Sequence, residues 1–169
     1  MSVFLQKIAD MRFVRILCFS LLLMSCRGTA QDDKKDTPKT YPVQKTDAEW
    51  QAQLNPMAYQ VLRKAATERA YSGEYYKNKE RGIYVCAGCK AQLYASKHKY
   101  DSGSGWPSFD RGNDENLEYD VDYKLGYGRT ELKCAQCGGH LGHIFDDGPR
   151  ETTGKRHCIN SVALEFIPY

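Results

Sequence analysis

A chain of 169 residues that is 41% hydrophobic carries enough apolar material for a single domain. Its 24 basic and 21 acidic side chains nearly cancel to a formal charge of +3, which argues against nucleic acid or an anionic surface as the main partner. The anomaly in the composition is seven cysteines, and most of the chemistry follows from where they fall.

The chain opens on a leader. Arg12 and Arg15 precede an apolar run, Ile16 to Met24, that is too short to span a bilayer comfortably, so residues 1–25 read as a signal peptide. Leu23-Met24-Ser25-Cys26 resembles the lipobox of bacterial lipoproteins, which implies lipidation of Cys26 at the mature N-terminus. The alternative is a plain secretory signal cleaved near Ala30, and translation can start at Met1 or Met11. Residues 26–45 are polar, with Asp32, Asp33, Lys34, Lys35 and Asp36 among few apolar side chains, and read as a flexible tether. The expected location is therefore the bacterial cell envelope, as a membrane-anchored lipoprotein on the periplasmic side or the surface.

The domain proper, residues 46–169, begins with two predicted helices. Thr46-Asp47-Ala48-Glu49 is a capping box, and Trp50 and Leu54 share the face of the helix it starts. Asn55-Pro56 starts a second helix, with Met57, Val61, Leu62 and Ala65 at helical spacing and expected in the core. Beyond Gly73 the pattern changes to period two with aromatic and β-branched residues. It predicts strands at Ile83 to Val85, Leu93-Tyr94, Leu117 to Val121, Leu125 to Leu132 and Val162 to Ile167.

Two Cys-x2-Cys knuckles punctuate this β-rich region: Cys86-Ala87-Gly88-Cys89 and Cys134-Ala135-Gln136-Cys137. Two thiolates on each of two tight turns make a four-sulfur tetrahedral site, for which zinc is the usual occupant, and a closed site of this kind is structural. A pair of disulfides and a redox-active Cys-x2-Cys are the alternatives. With Cys18 in the leader and Cys26 blocked by lipid, Cys158 is the one thiol left for chemistry. It follows Arg156 and His157 and precedes Asn160 and Ser161, a cationic and polar setting that suits a nucleophile.

Two further segments are dense in functional side chains. Asp101 to Phe109 places Trp106 in a glycine-rich loop, and Gly138 to Gly148 places His140, His143, Phe145, Asp146 and Asp147 beside the second knuckle. With Ser72-Gly73-Glu74-Tyr75, Thr152-Thr153-Gly154 and the Cys158 segment, these motifs resemble the methionine-R-sulfoxide reductases, the MsrB family, over residues 46–166. The resemblance implies a mainly β fold, an antiparallel, partly open barrel of the β-tent type with short N-terminal helices and a structural zinc on Cys86, Cys89, Cys134 and Cys137.

It also implies reduction of the R epimer of methionine sulfoxide in proteins. Cys158 would attack the sulfoxide sulfur and become a sulfenic acid, and Arg156, set by Asp147, would favour its thiolate. His143, with His140 and Asn160, would handle the sulfoxide oxygen and its proton, while Trp106 and Phe145 would wall the S-methyl group. The implied partners are oxidised proteins, a thioredoxin-like or small-thiol reductant, and a membrane reached through the lipid, with no nucleic acid; the protein is expected to be a monomer. Three positions depart from the family pattern: Ser104 stands where many relatives carry a resolving cysteine, Ala70 where proline is frequent, and His157 where tyrosine is frequent. Ser104 cannot form a disulfide, so the sulfenic acid is expected to be reduced by an external thiol. His157 adjoins the nucleophile and is expected to influence its pH dependence. A non-catalytic zinc binding module and a thiol peroxidase or disulfide oxidoreductase are the rival functions.

Overall fold

The computed structural model describes residues 39–169. The leader, Cys26 and residues 26–38 of the expected tether lie outside the described residues. Within the last part of that expected tether, the Val43 amide donates to the Gln136 carbonyl at 2.8 Å and Val43 packs against the core.

Thr46 caps helix α1 (Asp47–Gln53): its hydroxyl accepts from the Glu49 amide at 3.3 Å, and the Glu49 carboxylate accepts from the Thr46 amide at 2.7 Å. Two of the amides left unpaired at the helix start are thereby satisfied. Asn55 then caps α2 (Pro56–Lys64) by accepting from the Ala58 amide at 2.8 Å, and Ala65 ends it in the left-handed region. The core-facing stripe runs through Ala58, Tyr59, Val61 and Leu62. Met57, expected in the core, falls at its edge and is 47% exposed.

Nine strands follow, and every pairing between them is antiparallel. β1 (Gly82–Cys86) lies between β2 (Gln92–Ala95) and β9 (Leu164–Pro168) in a three-stranded sheet. The larger sheet contains β3 (Lys99–Tyr100), β4 (Ser108–Phe109), β5 (Leu117–Asp122), β6 (Arg129–Cys134), β7 (His140–Phe145) and β8 (Arg156–Ile159), in the order β3-β4-β8-β7-β6-β5. Both sheets are open, in keeping with the mainly antiparallel β fold and short helices expected from the sequence. Tyr84, Tyr94 and Phe109 are fully buried with Leu93, Leu132, Leu141 and Ile159, and Tyr94 stacks on Phe109 at a centroid distance of 4.2 Å.

Two strand boundaries differ from the periodicity, and two central strands escape it. The strand expected from Leu125 begins only at Arg129, because residues 123–126 form a turn in which the Gly126 amide donates to the Tyr123 carbonyl and Gly126 takes φ +82°. The strand expected from Val162 begins at Leu164, after a 3-10 turn over Ser161–Ala163. β7 and β8, central in the larger sheet, have too many polar residues and glycines to register as period-two runs. Among the described residues no helix is long and apolar enough to cross a membrane.

Candidate active site and metal centre

The two central strands bring the predicted residues together. In the β7–β8 register His143 lies directly opposite Cys158, and Phe145 opposite Arg156. The approach is close at Gly142, where a Cβ would fall 1.9 Å from the Cys158 carbonyl oxygen, so only glycine fits there. His140 and His143 should point to opposite faces of a regular strand, being three residues apart. The β6–β7 ladder slips between Leu132 and Lys133, where one step on β6 matches two on β7. Leu141 is the extra residue of this bulge, and the two imidazoles meet edge to face with centroids 5.3 Å apart.

A cleft of about 120 Å³ opens over Cys158, lined by Trp106, His143, Phe145, Asn160, Arg129 and Thr67 among others. Its apolar wall is Trp106 and Phe145. The Trp106 indole nitrogen donates to the Glu68 carbonyl at 3.1 Å, which fixes the ring. The Arg156 guanidinium lies 4.4 Å from the Phe145 centroid and makes a two-pronged ion pair with Asp147, Nε to Oδ1 at 2.8 Å and Nη2 to Oδ2 at 2.9 Å. That pair holds the Asp147 carboxyl below the usual carboxylate range.

Burial pushes the Cys158 thiol up. The Arg156 charge and a contact with the Ser104 hydroxyl, at 3.9 Å, pull the other way without overcoming it. The arginine thus acts in the expected direction, but the resting group is a thiol. His143 is its counterpart, pushed down from the ordinary imidazole value by burial against the pull of Asp122. His143 Nε2 lies 2.8 Å from Asp122 Oδ2. The Lys124 amide and His143 hold that carboxyl well below its usual range, so the carboxylate accepts and Nε2 carries the proton, which leaves Nδ1 of the neutral ring as the acceptor. Arg129 pairs with the same Asp122 oxygen at 2.5 Å. Behind this layer His140 Nδ1 lies 2.5 Å from the buried Glu131 carboxylate.

Asn160 lines the cleft with its amide engaged at both ends: Nδ2 donates to the Leu141 carbonyl at 2.9 Å, and Oδ1 accepts from the Glu68 amide at 2.9 Å. His157 points away from the cleft. Its Nδ1 lies 3.3 Å from the Tyr94 hydroxyl, and burial pushes its pKa down to about 4. It therefore stays neutral near neutral pH and adds no charge beside the nucleophile there.

Four residues with a hold on the cleft escaped the sequence reading: Glu68, Asp122, Arg129 and Glu131. Asp122, Arg129 and Glu131 sit on a strand pair whose alternation reads as an ordinary solvated face. Glu68 left a faint signal. Its buried carboxylate accepts from the Ser161 amide at 2.6 Å and the Val162 amide at 3.1 Å, while its own backbone bonds Asn160 and Trp106. A Cβ on Gly73 would fall 2.4 Å from Ser161 Cβ and 2.7 Å from Glu68 Oε1, so the glycine of the Ser72-Gly73-Glu74-Tyr75 motif permits this junction.

The two knuckles converge as the spacing predicted. The sulfurs of Cys86, Cys89, Cys134 and Cys137 all lie within 4.8 Å of one another, with Cys86 to Cys137 at 3.8 Å and Cys89 to Cys134 at 3.5 Å. Four thiolates at about 2.3 Å from a tetrahedral ion would be separated by about 3.8 Å, so the donor set fits a metal ion. The separations are far beyond the roughly 2.05 Å of a disulfide. The cluster ties the end of β1 to the end of β6.

Residues 54–168 match the family model described as the SelR domain. A peptide methionine sulfoxide reductase MsrB of Chromohalobacter salexigens is 50% identical over 127 residues, which cover 75% of this chain and 96% of that protein. Proteins of the same name from Burkholderia cenocepacia and Burkholderia ambifaria are 51% and 50% identical over 129 residues, covering 76% of this chain and 90% of each.

Proposed function

The chain belongs to the SelR domain family, and from that premise we propose that it is a peptide-methionine (R)-S-oxide reductase with Cys158 as its nucleophile. The observation that carries this assignment is the pairing of Cys158 with His143 across β7 and β8, beneath the aromatic wall of Trp106.

A methionine sulfoxide side chain enters the cleft with its S-methyl group against Trp106 and Phe145 and its oxygen toward His143. Resting as a thiol beside a neutral imidazole, Cys158 gives its proton to His143 Nδ1 and attacks the sulfoxide sulfur. Asp122, bonded to Nε2, steadies the imidazolium that forms. The imidazolium then delivers the proton to the sulfoxide oxygen. From that adduct the hydroxyl passes to the Cys158 sulfur as both bonds to the substrate sulfur break, leaving a sulfenic acid and free methionine, so sulfur is reduced on the substrate and oxidised on the enzyme. His140 and Glu131 buttress His143, and Asn160 braces the end of β8 against β7. The Arg156–Asp147 pair keeps a fixed positive charge near the sulfur.

Ser104 offers no second thiol, so an external thiol returns Cys158 to its reduced state. Zinc, held by Cys86, Cys89, Cys134 and Cys137, would supply a structural cross-link and no chemistry at the cleft. Leu23 to Cys26 support a lipoprotein that repairs oxidised proteins of the cell envelope; fatty-acid labelling that is lost on Cys26→Ala tests that part.

The activity is tested by offering the soluble domain the separate R and S epimers of a methionine sulfoxide peptide with dithiothreitol. Consumption of the R epimer alone, abolished in Cys158→Ser, is expected. Wild-type-like turnover in that variant would refute the assignment of the nucleophile.

A further inference from the structure

Cys158 lines one cleft, and a second groove that shares no lining residue with it is separated from the sulfur by the Ser104 side chain. One is the cleft of Trp106 and His143. The other, about 520 Å³, lies on the Ser104 side and is lined by Tyr100, Ser104, Asp147, Pro149, Glu151 and Arg156 among others. Two of its lining residues act directly on the thiol: the Ser104 hydroxyl touches Sγ at 3.9 Å, and the Arg156 charge lowers the cost of ionising it. Ser104 itself is held by Ser102, whose hydroxyl lies 2.8 Å from it and 2.7 Å from that of Ser108.

We infer that this second groove is the entry site for the thiol that recycles the enzyme. The inference rests on the reductase activity proposed above. Attack on a sulfenic sulfur takes place along the line opposite the departing oxygen. That oxygen comes from a sulfoxide bound toward His143, so the open line of approach leads away from His143 and Trp106 and into the Ser104 groove. An incoming thiol R–SH forms an S–S bond to Cys158 as the S–O bond breaks, and its proton leaves with the oxygen as water. A second thiol then displaces Cys158–SH and departs as the disulfide R–S–S–R. Arg156, at the groove wall, favours the thiolate form of the incoming thiol. With separate entrances, the oxidant and the reductant need not compete for one cleft.

The test separates the two half-reactions in Glu151→Trp and Pro149→Trp, both outside the strands and intended to fill the groove. Methionine formed per enzyme without reductant reads the first half. The rate at which dithiothreitol, or a cysteine-containing tripeptide, consumes the sulfenic acid reads the second. The first half is expected to be unchanged and the second to slow at least about fivefold with both thiols. Recycling at the wild-type rate, equal slowing of both halves, or slowing with a thioredoxin alone would overturn the inference. A wild-type enzyme that forms no methionine in the first half would instead remove the activity on which it rests.

Discussion

The four-sulfur cluster, at the ends of β1 and β6 and on the turns that follow them, and the cleft around Cys158, on β8, both turn on cysteine yet are opposite in construction. In the cluster each sulfur has three others within 4.8 Å and no face left for a substrate. In the cleft a single sulfur is set among an imidazole, an aromatic wall and a guanidinium, and it faces open space. The difference teaches that reactivity here is set by what surrounds a thiol, because burial alone would make all five described cysteines inert. It also sets what each region should do when perturbed.

Stripping the metal should have the largest effect. A domain stable by about 5–15 kcal/mol cannot lose a binding term on the order of 10 kcal/mol and stay folded. Cys134→Ser, or a strong chelator, is therefore expected to abolish the cooperative thermal transition, while Cys158→Ser leaves that transition in place. An unchanged melting curve after verified metal removal would show that the cluster does not hold the fold together.

Next in size is Asp122→Asn. Loss of the carboxylate behind His143 should lower kcat by roughly 10²-fold or more, the scale of acid–base catalysis. In the wild type, protonation of His143 removes its acceptor, so the first half-reaction should fall as pH drops through a pKa below 6.5, and that limb should move to lower pH in the variant. A unchanged pH limb would separate Asp122 from the proton transfer.

Glu68→Gln should be milder and should affect both stability and binding. The amide presents a donor to one of two backbone N–H groups that now meet carboxylate oxygens, at a cost of about 1–3 kcal/mol and a few degrees in Tm. Because Glu68 also bonds Trp106 and Asn160 through its backbone, KM for the sulfoxide should rise several-fold, with kcat less affected. A Tm shift with no change in KM would limit Glu68 to a structural role.

The cluster was legible in the sequence to the residue because its ligands come in pairs of fixed spacing, and a tight turn can place two sulfurs together whatever the rest of the chain does. Much of the cleft was legible through motifs: Trp106, His143, Phe145, Asn160 and Cys158 all line it. The layer behind it was not. Asp122 and Arg129 reach His143 only because β5 and β6 extend beside β7, and Glu68 reaches the end of β8 from a loop with no periodicity of its own. The alignment of the two histidines depends on a one-residue bulge that no alternation pattern encodes. Local spacing is written in the chain, whereas cross-strand partners depend on register.

His157 gives the smallest and most specific test, because it lies beside the nucleophile in sequence yet behind it in space. Burial holds its folded pKa down at about 4, against an ordinary imidazole value of about 6.5. A histidine depressed on folding binds its proton more readily in the unfolded chain, so stability is lost as pH falls from above 6.5 to below 4. The difference corresponds to roughly 3 kcal/mol at most across that window. His157→Phe keeps an aromatic ring against Tyr94 and removes the titration. Relative to wild type the variant should therefore gain stability steadily as pH falls from about 7.5 to 4, as read from urea midpoints at each pH. Its activity against pH should retain the limb set by His143. If that limb moved instead while the stability profiles stayed parallel, His157 would be coupled to the cleft rather than to the core, and the division between the two faces of β8 would fail.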